Sequence, residues 1–166
     1  MGGGKRYNSS MKLFIHGLIS SGQGFKGNFL RGIFPDIVTP DFPGDLDERM
    51  AKLEAILAGG RDHILIGSSY GGMMAALYAC AHPDQVQKII LLAPALPFHP
   101  FDENPPERCE VPTVVFHGSR DAIVPLEPTR TLAERVFANL QFNVVDDDHM
   151  LHKTVQQLDW RALVGE

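Results

Sequence analysis

The 166-residue sequence has few cysteines, no long apolar run and no excess of basic residues. Its two cysteines, Cys80 and Cys109, stand far apart in the sequence and outside any CxxC motif. This pattern favours two reduced thiols over a disulfide or a zinc site, and it fits a reducing compartment. No segment reaches the roughly 18 consecutive apolar residues that a membrane-spanning helix needs. The net charge of −5 gives no electrostatic basis for binding nucleic acid or an anionic membrane.

The first ten residues are polar and rich in glycine, and they lack the apolar segment of a signal peptide. We expect residues 1–10 to be a disordered arm or an artificial extension, and residues 11–166 to form one domain. The content of 44% apolar and 21% charged residues is typical of a globular protein. Together with the reduced thiols, these features predict a cytoplasmic protein.

Short apolar runs alternate along the chain with longer amphipathic stretches, and turn residues separate them. Continuous apolar strands between helices predict a parallel sheet covered on both faces, which is an α/β fold with three layers. Asp45 and Glu48 form a capping-box pattern before one helix, and the proline-rich residues 94–112 predict a surface loop. The predicted strands are residues 12–15, 36–39, 63–66, 88–93, 112–116 and 140–145, and the predicted helices are residues 25–34, 46–57, 73–81, 126–138 and 150–158.

Ser69 is the candidate nucleophile. It is the central residue of the G-x-S-x-G pattern from Gly67 to Gly71, between an apolar strand and a helix of small residues. In that context the pattern is typical of a nucleophile elbow, whose flanking glycines let strand and helix approach closely. With Ser68 at the centre, the flanking positions would hold Ile66 and Tyr70, so the register selects Ser69. The alternatives are an incidental glycine-rich turn and an anion-binding helix N-terminus.

A serine nucleophile needs a base, and His149 is the candidate because it follows the last predicted strand directly. His152, three residues later, is the alternative base. His16 lies at the same edge of the sheet and competes for a catalytic role, although it precedes the serine in chain order.

Asp121 follows the fifth predicted strand and is the candidate carboxylate that orients the histidine. It is also a natural turn-former. The neighbouring acids at 146–148 compete with it, but we expect them to form a solvated acidic turn. We expect His117 to brace the loop that carries Asp121.

The developing negative charge needs two backbone N–H donors. Tyr70 supplies one in this interpretation, because it directly follows the nucleophile at a helix N-terminus. Leu18 is the second candidate donor, in the loop after the first strand, with His16 and Gly17 shaping the turn.

These segments together resemble the α/β-hydrolase superfamily, and the resemblance extends over about residues 11–160. The chain order Ser69, Asp121, His149 is the order of that superfamily's triad. Segments at residues 14–17, 82–86, 91–95 and 117–125 also resemble recurrent segments of the superfamily, in the same order. The likeness is closest to small single-domain bacterial esterases of the YqiA type.

The resemblance implies a minimal α/β-hydrolase fold of about six parallel strands in the order 2-1-3-4-5-6. No cap domain is expected, since only a loop at about residues 96–110 stands where many members insert one. We therefore expect an open, shallow site with few walls, suited to small or exposed esters.

The expected function is that of a carboxylesterase-type serine hydrolase that works through an acyl-enzyme and needs no metal or organic cofactor. A thioesterase or an amidase with the same triad is an alternative, and so is a non-catalytic binding protein that retains the fold. The expected partner is a small-molecule ester, with no nucleic acid or membrane, and the protein is expected to be a monomer or a weak homodimer.

Overall fold

The computed structural model describes residues 10–166, so the predicted arm lies almost wholly outside the described residues. The described chain forms a parallel sheet with helices on both faces. The strands are β1 (Lys12–Ile15), β2 (His63–Ser68), β3 (Val86–Leu92), β4 (Thr113–Gly118) and β5 (Leu140–Val145). The helices are α1 (Phe25–Ile33), α2 (Leu46–Leu57), α3 (Tyr70–Ala81), α4 (Leu126–Val136), α5 (His152–Gln157) and α6 (Trp160–Val164).

The sheet has five strands in the order β1-β2-β3-β4-β5, all parallel. The strand expected at residues 36–39 is reduced to an isolated bridge between Val38 and Leu13. Val38 still exchanges two backbone hydrogen bonds of 2.9 Å with β1, so it occupies the predicted place beside the first strand. Pro35 and Pro40 flank the segment, and proline has no N–H with which to extend a ladder.

Alternate residues of each strand face two separate apolar cores, as in a three-layer sandwich. Leu13 and Leu65 pack with α2, α3 and α4 on one face. Phe14 and Ile66 pack with α1, α5 and α6 on the other. The fold class predicted from the sequence is therefore confirmed.

The helix ends follow local chemistry. The Asp45 carboxylate accepts a 2.9 Å hydrogen bond from the Glu48 N–H, so the predicted cap of α2 is present. Helix α3 begins at Tyr70, three residues before the predicted start, because the turn at Ser69 leads directly into it. Helix α6 was not predicted, since five residues are too few to show a helical period.

The proline-rich segment at residues 94–112 is not merely a surface loop. Leu96 and Phe101 are fully buried and Cys109 nearly so. Cys109 also forms an isolated bridge with Phe137. The segment therefore packs onto the body of the domain. No helix within residues 10–166 has the length and apolar character that crossing a membrane requires.

Candidate active site

Ser69 occupies a strained turn between β2 and α3. Its backbone angles are φ 55° and ψ −115°, a conformation that non-glycine residues rarely adopt. A Cβ at Gly67 would lie 2.4 Å from the Gly71 carbonyl oxygen, and one at Gly71 would lie 2.1 Å from the Ile15 carbonyl oxygen. Both glycines are therefore required by close backbone approach. Strained backbone conformations of this kind occur most often at functional sites.

His149 and Asp121 form a close pair at the carboxyl edge of the sheet. The His149 Nδ1 atom lies 2.8 Å from Asp121 Oδ2. The other carboxylate oxygen of Asp121 accepts hydrogen bonds from the Ile123 and Val124 N–H groups, at 2.9 and 2.8 Å. The Asp121 side chain has no exposed surface. Asp121 therefore forms the turn and also pairs with His149. The sequence analysis treated these two roles as alternatives.

The three consecutive aspartates before His149 have other partners. Asp146 pairs with Arg120 at 3.2 Å, and Asp148 accepts a hydrogen bond from the Met150 N–H. Asp147 is buried and accepts hydrogen bonds from the Thr154 N–H and hydroxyl at 2.9 and 2.8 Å. Burial opposes the ionisation of Asp147, but these hydrogen bonds outweigh it and lower its pKa. The expectation of a solvated acidic turn is therefore wrong for Asp147.

His16 is buried and has both ring nitrogens engaged. Its Nε2 accepts a 2.8 Å hydrogen bond from the Phe42 N–H, so the proton is on Nδ1, which donates to the Gly17 carbonyl at 2.6 Å. This arrangement leaves no free base, and it suits a residue that shapes the loop after β1. His152 lies at the start of α5 with its ring 4.3 Å from that of Phe25. No carboxylate within residues 10–166 is hydrogen-bonded to it.

His117 lies beneath the Asp121 loop, as expected from the sequence. Its Nε2–H donates to the Val124 carbonyl at 2.9 Å and lies 3.4 Å from Asp121 Oδ2. Burial lowers the pKa of His117, which keeps the ring neutral. It therefore braces the loop that carries the carboxylate.

Leu18 and Tyr70, the two candidate oxyanion donors, line the same cleft as Ser69 and His149. Neither backbone N–H donates a hydrogen bond to another group within residues 10–166. Gly17 lies in the same wall, and a Cβ there would be 3.6 Å from the Ser69 Cβ. Backbone N–H groups without a partner are the kind of donor that an oxyanion requires.

Arg49 is a residue of this region that the sequence analysis missed. It is 5% exposed. Its Nη2 donates to the Leu18 carbonyl at 3.1 Å, and its guanidinium lies 5.5 Å from the centre of the Tyr70 ring. The signal was present in α2, because Arg49 stands three residues after Leu46 and four before Leu53, within the apolar stripe.

The cleft has a volume of about 510 Å³, which is an ordinary size for a small-molecule pocket. Its walls are more extensive than those of the shallow site that we expected from the absence of a cap. Most of the large apolar side chains exposed on the described chain line it. They are Leu18, Ile19, Phe25, Phe98, Ile123 and Met150. The part of the chain described by the structure contains no cluster of three or more His, Cys, Asp or Glu side chains suited to a metal ion.

The comparisons with known proteins agree with this architecture. Residues 35–108 match the family model of the alpha/beta hydrolase fold, a segment that includes Ser69 but neither Asp121 nor His149. An esterase from Pyrococcus furiosus superposes with a TM-score of 0.74 at 17% identity, covering 96% of this chain and 82% of that one. The chain has the α/β-hydrolase fold.

Mouse alpha/beta hydrolase domain-containing protein 10 shares this α/β-hydrolase fold with a TM-score of 0.71 at 19% identity, covering 93% of this chain and 86% of that one. NocK of Nocardia uniformis subsp. tsuyamanensis, whose name describes it as an esterase, is 31% identical over 101 residues. That match covers 58% of this chain and 29% of NocK, so the chain spans less than a third of this curated relative. The resemblance to α/β-hydrolases is confirmed, and the likeness to the YqiA type stays a prediction.

Proposed function

We propose that this chain is a serine hydrolase that cleaves carboxylic esters through an acyl-enzyme intermediate. The observation that carries the proposal is the 2.8 Å contact between His149 Nδ1 and Asp121 Oδ2, on a cleft that Ser69 also lines. A serine hydroxyl is a weak nucleophile unless a neighbouring base takes its proton, and an oriented imidazole is the usual base.

In this mechanism Ser69 attacks the ester carbonyl while His149 Nε2 accepts the serine proton. Asp121 Oδ2 accepts a hydrogen bond from Nδ1–H, which fixes the tautomer that leaves Nε2 free to accept the proton. The carboxylate also stabilises the imidazolium that forms. His149 then protonates the departing alcohol, and a water molecule activated by the same imidazole releases the acid.

The backbone N–H groups of Leu18 and Tyr70 stabilise the oxyanion in the same mechanism. Tyr70 is the first residue of α3, so its N–H lies at the positive end of the helix dipole. Donors that are already oriented need no rearrangement as the charge develops, and this makes them effective in a partly dry cleft.

The ester is the proposed substrate class because two relatives, NocK and the Pyrococcus protein, are named as esterases. A triad of this kind is chemically suited to thioesters and amides as well, since the hydrolysis of an ester, a thioester or an amide is in each case an acyl transfer. Rates on a matched ester, thioester and amide, measured with one acyl group, will rank the three leaving groups. We expect the ester to have the highest kcat/KM.

The direct test is Ser69→Ala, assayed with 4-nitrophenyl butanoate and with a fluorophosphonate probe. We expect both turnover and covalent labelling to disappear, because the hydroxyl is the atom that reacts in each case. Ser68→Ala is the matched control, since Ser68 is the neighbouring serine and falls outside the motif's register. Labelling that survives in Ser69→Ala would refute the assignment, and its loss in Ser68→Ala alone would point to Ser68 instead.

A further inference from the structure

Lys26, the second residue of α1, lines the cleft together with Ser69 and His149. Its side chain is half-buried, and this burial lowers the pKa of its ammonium group. Within residues 10–166, Lys26 donates no hydrogen bond and has no carboxylate within 4.0 Å. A partly desolvated cation without a partner is unfavourable unless a ligand supplies the opposite charge.

Other lysines of the chain that lie close to the protein body do have partners. Lys12 pairs with Asp36 and Glu166. Lys52 and Lys88 donate to the carbonyls of Asp41 and Leu163. Lys26 differs from all three, because it lines a cavity and its ammonium group has no protein acceptor within residues 10–166.

The charge around the cleft is also unusual for this chain. The protein carries a net charge of −5, yet no aspartate or glutamate is among the residues that line the cleft. The negative charges of Asp147 and Asp148 act on Lys26, but both carboxylates lie more than 4.0 Å from its ammonium group. Each accepts hydrogen bonds elsewhere, Asp147 from Thr154 and Asp148 from the Met150 N–H. The cleft therefore presents one cation in apolar surroundings, where an opposite charge is attracted more strongly than in water.

We propose that this cleft binds esters that carry a carboxylate in addition to the ester bond, and that the Lys26 ammonium group pairs with that carboxylate. The proposal rests on the proposed function for the ester itself. A single ammonium group matches a single carboxylate charge, and the apolar rim formed by Phe25, Phe98 and Ile123 covers the hydrocarbon between the two groups. In this proposal Lys26 determines the preference of the cleft for charged over neutral substrates.

The kinetic test compares charged esters with neutral isosteres. On the acyl side the pair is 4-nitrophenyl hydrogen glutarate and 4-nitrophenyl 5-oxohexanoate, corrected for spontaneous hydrolysis. On the alcohol side it is 4-carboxyphenyl butanoate and 4-acetylphenyl butanoate. We expect wild type to prefer the charged member of at least one pair, which identifies the half of the ester that carries the charge.

Substitutions then assign the preference to Lys26. Lys26→Met keeps the aliphatic stem, and it should lower the charged-to-neutral ratio of kcat/KM by about tenfold, the usual effect of losing a hydrogen bond to a charged group. Lys26→Arg should retain the preference. Lys153→Met is the matched control, since Lys153 is exposed on α5 and does not line the cleft. A ratio that is unchanged in Lys26→Met, or that falls equally in Lys153→Met, overturns the proposal.

A binding measurement separates this proposal from the proposed function. In Ser69→Ala, calorimetry with the carboxylate-bearing amide glutaranilate should give a Kd about tenfold lower than in the Ser69→Ala/Lys26→Met double variant. If that difference is found while wild type hydrolyses no ester, the carboxylate site stands and the proposed function fails. If esters are hydrolysed through Ser69 with no charge preference, the proposed function stands and the carboxylate site fails.

Discussion

Arg49 donates a hydrogen bond of 3.1 Å to the carbonyl oxygen of Leu18, the residue whose N–H is a candidate oxyanion donor. The same guanidinium donates from Nε to the Gly44 carbonyl at 2.8 Å and lies over the ring of Tyr70, the other candidate donor. Its Nη1 has no partner within residues 10–166, and no carboxylate pairs with it. A buried cation thus connects the loop after β1 to the start of α3.

Arg49→Met should lower kcat for 4-nitrophenyl butanoate by about tenfold or more, while KM changes little. Loss of a whole oxyanion donor costs about 10²–10³ in kcat, and a misplaced donor loses part of that. Steady-state kinetics and the rate of fluorophosphonate labelling provide the measurement. Arg49→Lys should recover little, because an ammonium group cannot reproduce the planar contacts.

The control for that variant must exclude simple unfolding. Arg135→Met removes an exposed arginine of α4 and should leave kcat unchanged. Melting temperatures of both variants show how much folded protein is present. Arg49 has no positioning role if the loss of kcat/KM equals the loss of folded protein.

Asp121→Asn should reduce kcat by about 10³–10⁴, as the loss of the orienting carboxylate does in other serine triads. The amide can still accept from the Ile123 and Val124 N–H groups, so stability should change little, but its NH₂ group would face His149 Nδ1 and favour the wrong tautomer. Asp146→Asn is the control, because Asp146 is exposed and bonded to Arg120. Equal losses in the two variants would contradict the assignment of Asp121.

Much of this site could be predicted from the sequence because its residues stand at strand ends. Parallel strands bring their carboxyl ends to one edge, so Ser69, Asp121 and His149 could be expected there without knowledge of any contact. The burial of Lys26 could not be predicted, since it depends on the segments that pack around the start of α1. Arg49 stands within the apolar stripe of α2, so its burial could have been predicted, but its contact with the Leu18 carbonyl depends on the path of the loop after β1. The strand at residues 36–39 was over-predicted because an apolar run indicates extended chain but not the number of ladder bonds that it makes.

Gly71→Ala should destabilise the fold and lower activity together. The new Cβ would lie 2.1 Å from the Ile15 carbonyl oxygen, and backbone can relieve such a clash only by moving the elbow. Overpacking of this kind costs about 1–3 kcal/mol or more in the free energy of unfolding. Gly32→Ala is the matched control, because nothing lies within 4 Å of a Cβ there.

That control should stabilise the protein by about 0.5–1 kcal/mol, since alanine is favoured over glycine inside a helix. Urea unfolding of both variants measures the two effects. If Gly71→Ala is as stable and active as Gly32→Ala, the close approach at the elbow is not present in the protein.

Acidification should destabilise the fold through His63 and His117. Burial lowers the pKa of both side chains, so the unfolded chain binds protons more readily than the native one. Their contribution to stability is complete above the unfolded pKa of about 6.5 and is lost as pH falls from there towards the native pKa values. Urea unfolding between about pH 7.5 and pH 5 should show the free energy of unfolding decreasing in that window.

His63→Gln tests the assignment of this pH dependence. The glutamine amide can replace the His63 Nε2 donor to the Leu57 carbonyl, a contact of 3.2 Å, and it does not titrate. The slope of unfolding free energy against pH should therefore become shallower. His99→Gln removes an exposed imidazole instead, and because exposed ion pairs contribute little, its slope should match wild type. Equal slopes in all three proteins would mean that His63 does not contribute to the acid sensitivity.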